Sequence, residues 1–137
     1  MAGYVKILVA EDDELLWKPM DRYLRRNGFE AEIVKDGKTA IKRARKTKPQ
    51  LILLDWAMPD MEGIDVLTEL KHHRKTRNIP VFMLTGKDLM GDIEKAYEVG
   101  ADDYIIKPID YADIGMIVKD KWTRFKEKSS TLQTSST

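Results

Sequence analysis

The stretch that most constrains the fold is Leu51–Asp55 (LILLD), an apolar run that stops at a carboxylate. Its four consecutive apolar residues indicate a strand buried on both faces, which belongs in the middle of a parallel sheet. Because strands disfavour Asp, we expect Asp55 at the carboxyl end of this strand, the edge at which open α/β sheets bind ligands. Taken alone, Asp55 could equally cap the turn that leads to Pro59.

Strand and helix patterns alternate five times along the chain. The predicted strands are Tyr4–Ala10, Phe29–Lys35, Leu51–Asp55, Val81–Leu84 and Tyr104–Ile106. Apolar residues at helical spacing follow each strand, and the last helix places Ile114, Ile117, Val118, Trp122 and Phe125 on one stripe. Pro19 is expected to bend the first helix or delay its start. The alternation predicts an α/β fold of three layers, a doubly wound parallel sheet with helices on both faces.

Composition limits the range of functions. A chain of 137 residues fits one domain, expected at 1–127, and the Ser/Thr-rich end at 128–137 is expected to be a loose tail. The chain has no cysteine, which excludes disulfides, thiolate metal sites and a cysteine nucleophile. We expect a cytoplasmic protein, since neither a membrane-length apolar run nor a signal peptide is visible. The net charge of +1 gives no reason to expect direct contact with nucleic acid or membrane.

Two groups of basic residues have ordinary explanations. The lysines and arginines on the second helix are interpreted as a solvated helix face rather than a binding patch; they are Lys42, Arg43, Arg45, Lys46 and Lys48. His72 and His73 fall near the end of the third helix without a carboxylate or cysteine at ligand spacing, so we expect them to be exposed and free of metal.

Residues able to bind a cation or a phosphate follow four of the predicted strands. They are Glu11 and Asp12, Asp55, Thr85, and Lys107. The carboxyl ends of parallel strands share one edge of the sheet, so these side chains should meet there. One such residue could be present only to cap a turn, but it is far less plausible that all four strand ends carry one for that reason. Asp13, which follows Asp12, is better explained as a helix cap.

This set of side chains suits phosphoryl chemistry. Carboxylate oxygens are the ligands that Mg²⁺ prefers, and Lys107 and Thr85 could donate to phosphoryl oxygens. A carboxylate can also attack phosphorus and form an aspartyl phosphate. Asp55 is the best candidate nucleophile because its strand is the most buried, whereas Glu11 and Asp12 would hold the metal.

Four motifs, in this order, resemble the response-regulator receiver domain of two-component signalling: VAEDD, LLDWAMPDMEG, MLTG and GADDYIIKP. The resemblance runs from Tyr4 to about Lys126, and the ordered set is far more specific than any one motif. It implies a flavodoxin-like (βα)5 sheet with strand order 2-1-3-4-5 and Asp55 as the phosphoacceptor.

The resemblance also implies individual roles. Asp12 would bind Mg²⁺ directly, Glu11 mostly through water, and the main-chain carbonyl of Ala57 would be a further ligand. Lys107 would contact the phosphoryl group, and Pro108 would follow it through a cis bond. Thr85 and Tyr104 would form the switch pair. Ala57 and Lys87 occupy positions expected to tune the lifetime of the aspartyl phosphate.

The implied function is a signalling switch rather than an enzyme, since it would catalyse only its own phosphorylation and autodephosphorylation. A sensor histidine kinase or a histidine phosphotransfer protein would donate the phosphoryl group. The Ile93–Tyr97 helix, the last strand and the Tyr111–Phe125 helix would then change their surface. That surface would control a downstream protein target or an output domain, and could form a phosphorylation-dependent homodimer.

Three other functions fit the sequence less well. A pseudo-receiver that binds proteins without taking phosphate would be favoured by loss of Asp12, Asp55, Thr85 or Lys107, and all four are present. A hydrolase of the aspartyl-phosphate type would want a second acid where the chain has Ala57. Neither a P-loop nor a G-x-G-x-x-G motif of nucleotide sites occurs.

Overall fold

The computed structural model describes residues 3–86, 90–107 and 110–135. Its strands are β1 Val5–Ala10, β2 Phe29–Val34, β3 Leu51–Asp55, β4 Val81–Thr85 and β5 Asp103–Ile106. Its helices are α1 Glu14–Arg26, α2 Gly37–Thr47, α3 Gly63–His72, α4 Met90–Val99 and α5 Ile114–Ser135, the last preceded by a 3₁₀ turn at Tyr111–Asp113. All strand pairs are parallel and the order is β2-β1-β3-β4-β5, which confirms the predicted fold.

Every residue of β3 and β4 is buried, as expected for central strands of a parallel sheet. Alternate residues of β3 serve opposite faces: Ile52 and Leu54 pack into a core with α2, α3 and α4, while Leu51 and Leu53 pack into a second core with α1 and α5. Two cores on one sheet produce the three layers. Within the described parts of the chain, no helix is long and apolar enough to cross a membrane.

One of the two effects expected of Pro19 does not occur. Helix α1 begins at Glu14, where the Asp13 side chain accepts a hydrogen bond from the Leu15 backbone N–H at 3.0 Å. Pro19 lies inside this helix and does not delay its start. The Asp13 cap stabilises the helix before the proline, and the burial of Met20 and Leu24 stabilises it after the proline. These contacts outweigh the low helix propensity of proline.

The end of the chain also differs from the prediction. The loose tail expected at 128–137 is helical through Ser135, because α5 continues without interruption from Ile114. No glycine or proline follows Gly115 to stop the helix. Once packing of Ile114 and Val118 has nucleated α5, each further residue adds one backbone hydrogen bond, and propagation costs far less than nucleation.

Helices α1 and α5 approach each other closely at Gly115. A Cβ atom at this position would collide with the Tyr23 carbonyl oxygen and with the Asn27 side-chain nitrogen. These two groups are bonded to each other, since Asn27 Nδ2 donates to Tyr23 O at 2.9 Å near the end of α1. The Tyr23 carbonyl is backbone and cannot move aside without shifting α1, and the hydrogen bond holds the Asn27 amide in place against it.

Replacing Gly115 with Ala should reduce the free energy of unfolding by about 1–3 kcal/mol, the usual cost of forcing extra atoms into a packed region. The matched control is Gly91→Ala in α4, where an added Cβ would meet nothing within 4 Å. Urea denaturation followed by circular dichroism measures both variants. Equal stability of the two variants would show that α1 and α5 are not packed at Gly115.

Candidate functional site

The register of the sheet places Glu11 beside Asp55. Ala10 of β1 pairs with Leu54 of β3, so the residues that follow them lie next to each other at the carboxyl edge. The Glu11 backbone N–H continues the ladder by donating to Val34 O at 3.0 Å. On the far side, the Lys107 backbone N–H donates to Thr85 O at 2.7 Å and fixes the chain where it leaves β5.

Three carboxylates meet at this edge. One oxygen each of Glu11, Asp12 and Asp55 lies within 4.8 Å of the others. Glu11 and Asp55 are buried, with 1% and 5% of their surface exposed, whereas Asp12 is open to solvent. Since acids at this distance repel one another, the cluster needs a compensating cation.

Lys107 supplies one such cation. Its Nζ lies 3.1 Å from Glu11 Oε1 and 3.3 Å from Asp55 Oδ1, so a single ammonium bridges both buried acids. Burial opposes the charged form of Lys107, but Asp55 and Glu11 outweigh burial and raise the pKa of the ammonium. Lys107 is therefore held in its cationic form.

One ammonium does not fully compensate three carboxylates. Burial raises the pKa of Glu11 to about 7, and the hydrogen bond and charge of Asp55 act in the same direction while Lys107 opposes them. A carboxyl group with such a pKa is largely protonated in mildly acidic solution, because burial and the neighbouring Asp55 both disfavour its charged form. An all-oxygen donor set with excess negative charge fits a hard divalent cation such as Mg²⁺.

The acidic cluster opens to solvent through a cleft with a volume of about 450 Å³. Its lining consists of Glu11, Asp12, Asp13, Leu16, Asp55, Ala57, Met58, Pro59 and Lys107. The β3–α3 loop forms one wall, and the Ala57 backbone N–H points at Asp55 Oδ1 from 3.4 Å. Asp55 is thus buried among protein atoms yet reachable from one side.

Two residues that the sequence analysis did not single out shape this loop. Gly63 donates its N–H to Trp56 O at 2.5 Å, and a Cβ on Gly63 would lie 2.5 Å from Asp55 O.

The second residue is Asp60, whose side chain accepts hydrogen bonds from the backbone N–H groups of Gly37 and Lys38 at 2.7 and 3.0 Å. The bond from Gly37 is the main cause that holds the pKa of Asp60 below its usual range. The loop is tied to the start of α2, a contact that no local sequence rule reveals.

The remaining predicted site residues lie in different places. Thr85 is buried at the carboxyl end of β4, the strand next to β3. Tyr104 is half-buried on β5, and its ring packs edge-on against Tyr97 of α4 with 5.9 Å between centroids. Lys87 and Pro108 lie outside the described residues, so their roles stay predictions. The structure brings Glu11, Asp12, Asp55 and Lys107 together, while Tyr104 contacts α4.

Strand order and layer arrangement define the flavodoxin-like fold of receiver domains. A family model described as "Response regulator receiver domain" matches residues 7–119, which is most of the chain. The protein therefore belongs to the response-regulator receiver domain family. Receiver domains are signalling domains of two-component systems rather than classical enzymes.

Curated relatives include two bacterial regulators. The alkaline phosphatase synthesis transcriptional regulatory protein PhoP of Bacillus subtilis is 37% identical over 114 residues, which cover 83% of this chain and 47% of PhoP. The DNA-binding response regulator MtrA of Mycobacterium tuberculosis is 41% identical over 103 residues, which cover 75% of this chain and 44% of MtrA. The chain thus spans less than half the length of these relatives.

A solved structure shows the same fold with a metal. It is the receiver domain of the sensor histidine kinase PA1611 from Pseudomonas aeruginosa, which has a magnesium ion coordinated in its active-site cleft. Its TM-score to this chain is 0.75 at 29% sequence identity, and the match covers 87% of this chain and 97% of that one.

Stability of the metal-free protein should depend on pH through Glu11. The pKa of this group is about 7 in the folded protein and 4.5 ordinarily, so the folded state binds the proton more tightly than the unfolded state. This contribution to stability is complete below pH 4.5 and is lost as the pH rises through 7. At about 1.4 kcal/mol per pKa unit, we expect a loss of a few kcal/mol.

Urea unfolding in EDTA at several pH values measures this loss, with Glu11→Gln as the control that cannot titrate. The free energy of unfolding of wild type should fall relative to that of the variant across the window. Parallel curves for the two proteins would contradict the account of the site.

Proposed function

We propose that this chain is a phosphorylation-dependent switch that accepts a phosphoryl group on Asp55. The observation that carries the proposal is the meeting of Glu11, Asp12 and Lys107 around Asp55 at an open edge of the sheet. The receiver domain is proposed to span 1–127. Membership of the receiver family supports this function but does not by itself identify the acceptor.

The proposed cofactor is Mg²⁺, held by Glu11, Asp12, Asp55 and the main-chain carbonyl of Ala57. When bound, this ion would neutralise charge on the phosphoryl oxygens during transfer. The three clustered carboxylates are chemically suited to it, and the magnesium-bound PA1611 receiver domain offers a precedent in the same fold. Glu11 must lose its proton before it can serve as a ligand.

The proposed reaction is an in-line displacement at phosphorus. A carboxylate oxygen of Asp55 forms the new O–P bond, the P–N bond of a phosphohistidine breaks, and its electron pair stays on the imidazole. The donor would be a sensor histidine kinase or a histidine phosphotransfer protein. Lys107, at 3.3 Å from Asp55 Oδ1, is close enough to donate to a phosphoryl oxygen on that carboxylate.

The proposed output is a change of surface on α4, β5 and α5. The Thr85 hydroxyl would turn toward the phosphoryl group and Tyr104 would move into the space that it leaves. Tyr104 packs on Tyr97, which is 43% exposed, so a shift of one ring would alter an accessible surface. This surface would control a downstream protein or an output domain, or form a phosphorylation-dependent homodimer.

Acetyl phosphate with Mg²⁺ should add the mass of one phosphoryl group to the wild-type chain, because Asp55 is reachable and Lys107 already lies beside its carboxylate. Asp55→Asn should abolish this gain, whereas the control Asp65→Asn, an exposed acid in the first turn of α3, should retain it. Intact mass spectrometry measures all three proteins. A phosphoryl group that persists in Asp55→Asn would refute the assignment, and none in wild type would favour a pseudo-receiver that binds partners without phosphate.

The lifetime of the aspartyl phosphate should change in Ala57→Asn and in Lys87→Glu. Ala57 has no side chain that could orient a hydrolytic water, and Lys87 follows Thr85 closely enough in sequence to place a cation near the phosphoryl group. Dephosphorylation after removal of the donor is followed by mass, with the exposed Lys95→Glu as control. Unchanged lifetimes in both variants would show that neither residue affects the rate of dephosphorylation.

A further inference from the structure

A shallow depression lies between α2 and the segment that follows α3, away from the acidic cluster. It has a volume of about 540 Å³ and is lined by Lys38, Ile41, Lys42, Arg45, Lys46 and Lys75. We call these six residues the α2 basic pocket. Five of its six lining residues are cations, and none is an acid.

Helical periodicity and core packing fix this arrangement. Lys38, Lys42 and Lys46 recur every fourth residue and so share one face of α2, which Arg45 also joins. Ile41, on the same face, packs against the core and forms the apolar floor of the pocket. Lys75 reaches the pocket from another segment, so the site does not consist of one solvated helix face alone.

Positive charge in the pocket is poorly compensated. Outside the pocket, Arg43 pairs with Glu32 at 2.5 Å. Inside it, Arg45 forms one long ion pair, with 3.8 Å between its Nη2 and Glu69 Oε2, and Arg45 Nε is buried without a hydrogen-bond partner in the described part of the chain. Over the same residues, none of the four pocket lysines forms an ion pair.

The charge of these cations also affects the neighbouring His73. Some burial and then the charges of Arg45, Lys75 and Arg74 lower the pKa of His73, while Glu69 alone acts in the opposite direction. The cations therefore create a local positive potential in a protein whose net charge is only +1. An anion in the pocket would relieve repulsion between them.

The spacing of the cations indicates the kind of anion. Lys38 and Lys46 are two helical turns apart, about 12 Å along the axis, so the cations are spread over a longer stretch than one phosphate group occupies. The volume lies in the range of small-molecule sites. No aromatic residue lines the pocket, so it lacks the stacking surface that single-stranded nucleic acids use. From these observations, we propose that the α2 basic pocket binds a small ligand with two or more linked phosphate groups.

Calorimetric titration of the full chain with inorganic tripolyphosphate tests the proposal, in buffer freed of metal on a chelating resin so that no metal bridges the ligand to the acidic cluster. Wild type should show saturable binding at one site that weakens with added salt. Lys42→Gln with Arg45→Gln should weaken binding about tenfold or more, and so should Lys42→Gln with Lys46→Gln, which alters only exposed side chains.

Arg22→Gln with Lys119→Gln removes the same charge from exposed positions elsewhere and should leave the affinity unchanged. Asp55→Asn should also bind like wild type, so the result is independent of the proposed phosphoacceptor. Equal weakening in the pocket and control variants would reduce the effect to general charge attraction and overturn the proposal. So would equal affinity for inorganic phosphate, or binding of duplex DNA without binding of tripolyphosphate.

Discussion

The structure depends above all on one ammonium group held between two buried carboxylates. Lys107 comes from the end of β5, Asp55 from the end of β3 and Glu11 from the end of β1, and their contacts at 3.1 and 3.3 Å join three strands at one edge. Neither acid could be buried there in ionised form without a cation close by. The compensation stays incomplete, as the raised pKa of Glu11 shows, and this shortage of positive charge suits the site to a hard metal ion.

The surrounding structure holds this edge in shape. Asp60 ties the β3–α3 loop to the first turn of α2, and the absence of a side chain at Gly63 lets the loop fold back onto the Asp55 backbone. Behind the edge, β3 and β4 are buried along their whole length, so the acid at the end of β3 is presented by a rigid element. Placing reactive groups on rigid strands and access in the loops is a common solution for binding sites in α/β proteins.

Much of this arrangement could be predicted from the sequence because it follows from periodic patterns. Apolar runs that end in polar residues gave the strands, and parallel pairing then required Glu11, Asp55 and Lys107 to share an edge. The prediction failed where tertiary packing overrides local preference. Pro19 sits within α1 without delaying its start, which was one of its two expected effects, and α5 runs on to Ser135 because no residue stops it.

Other features were invisible for a different reason. Asp60 bonds to Gly37 and Lys38, more than twenty residues away in sequence, and side-chain partners at such separation have no spacing rule. The pocket that Lys75 forms with α2 was likewise invisible, because sequence alone does not show that Lys75 approaches this helix face. Both cases concern contacts between elements, which the fold creates and local patterns do not encode.

The central claim is that Asp55 is the phosphoacceptor within a magnesium site built from the ends of β1 and β3. A crystal structure of the protein with Mg²⁺ and beryllium trifluoride, an analogue of the phosphoryl group, tests it most directly. The account predicts beryllium bonded to an Asp55 carboxylate oxygen, the metal ligated by Asp12 and Asp55, and Lys107 donating to fluoride. Beryllium on another acid, or a metal bound away from Asp12 and Asp55, would contradict it.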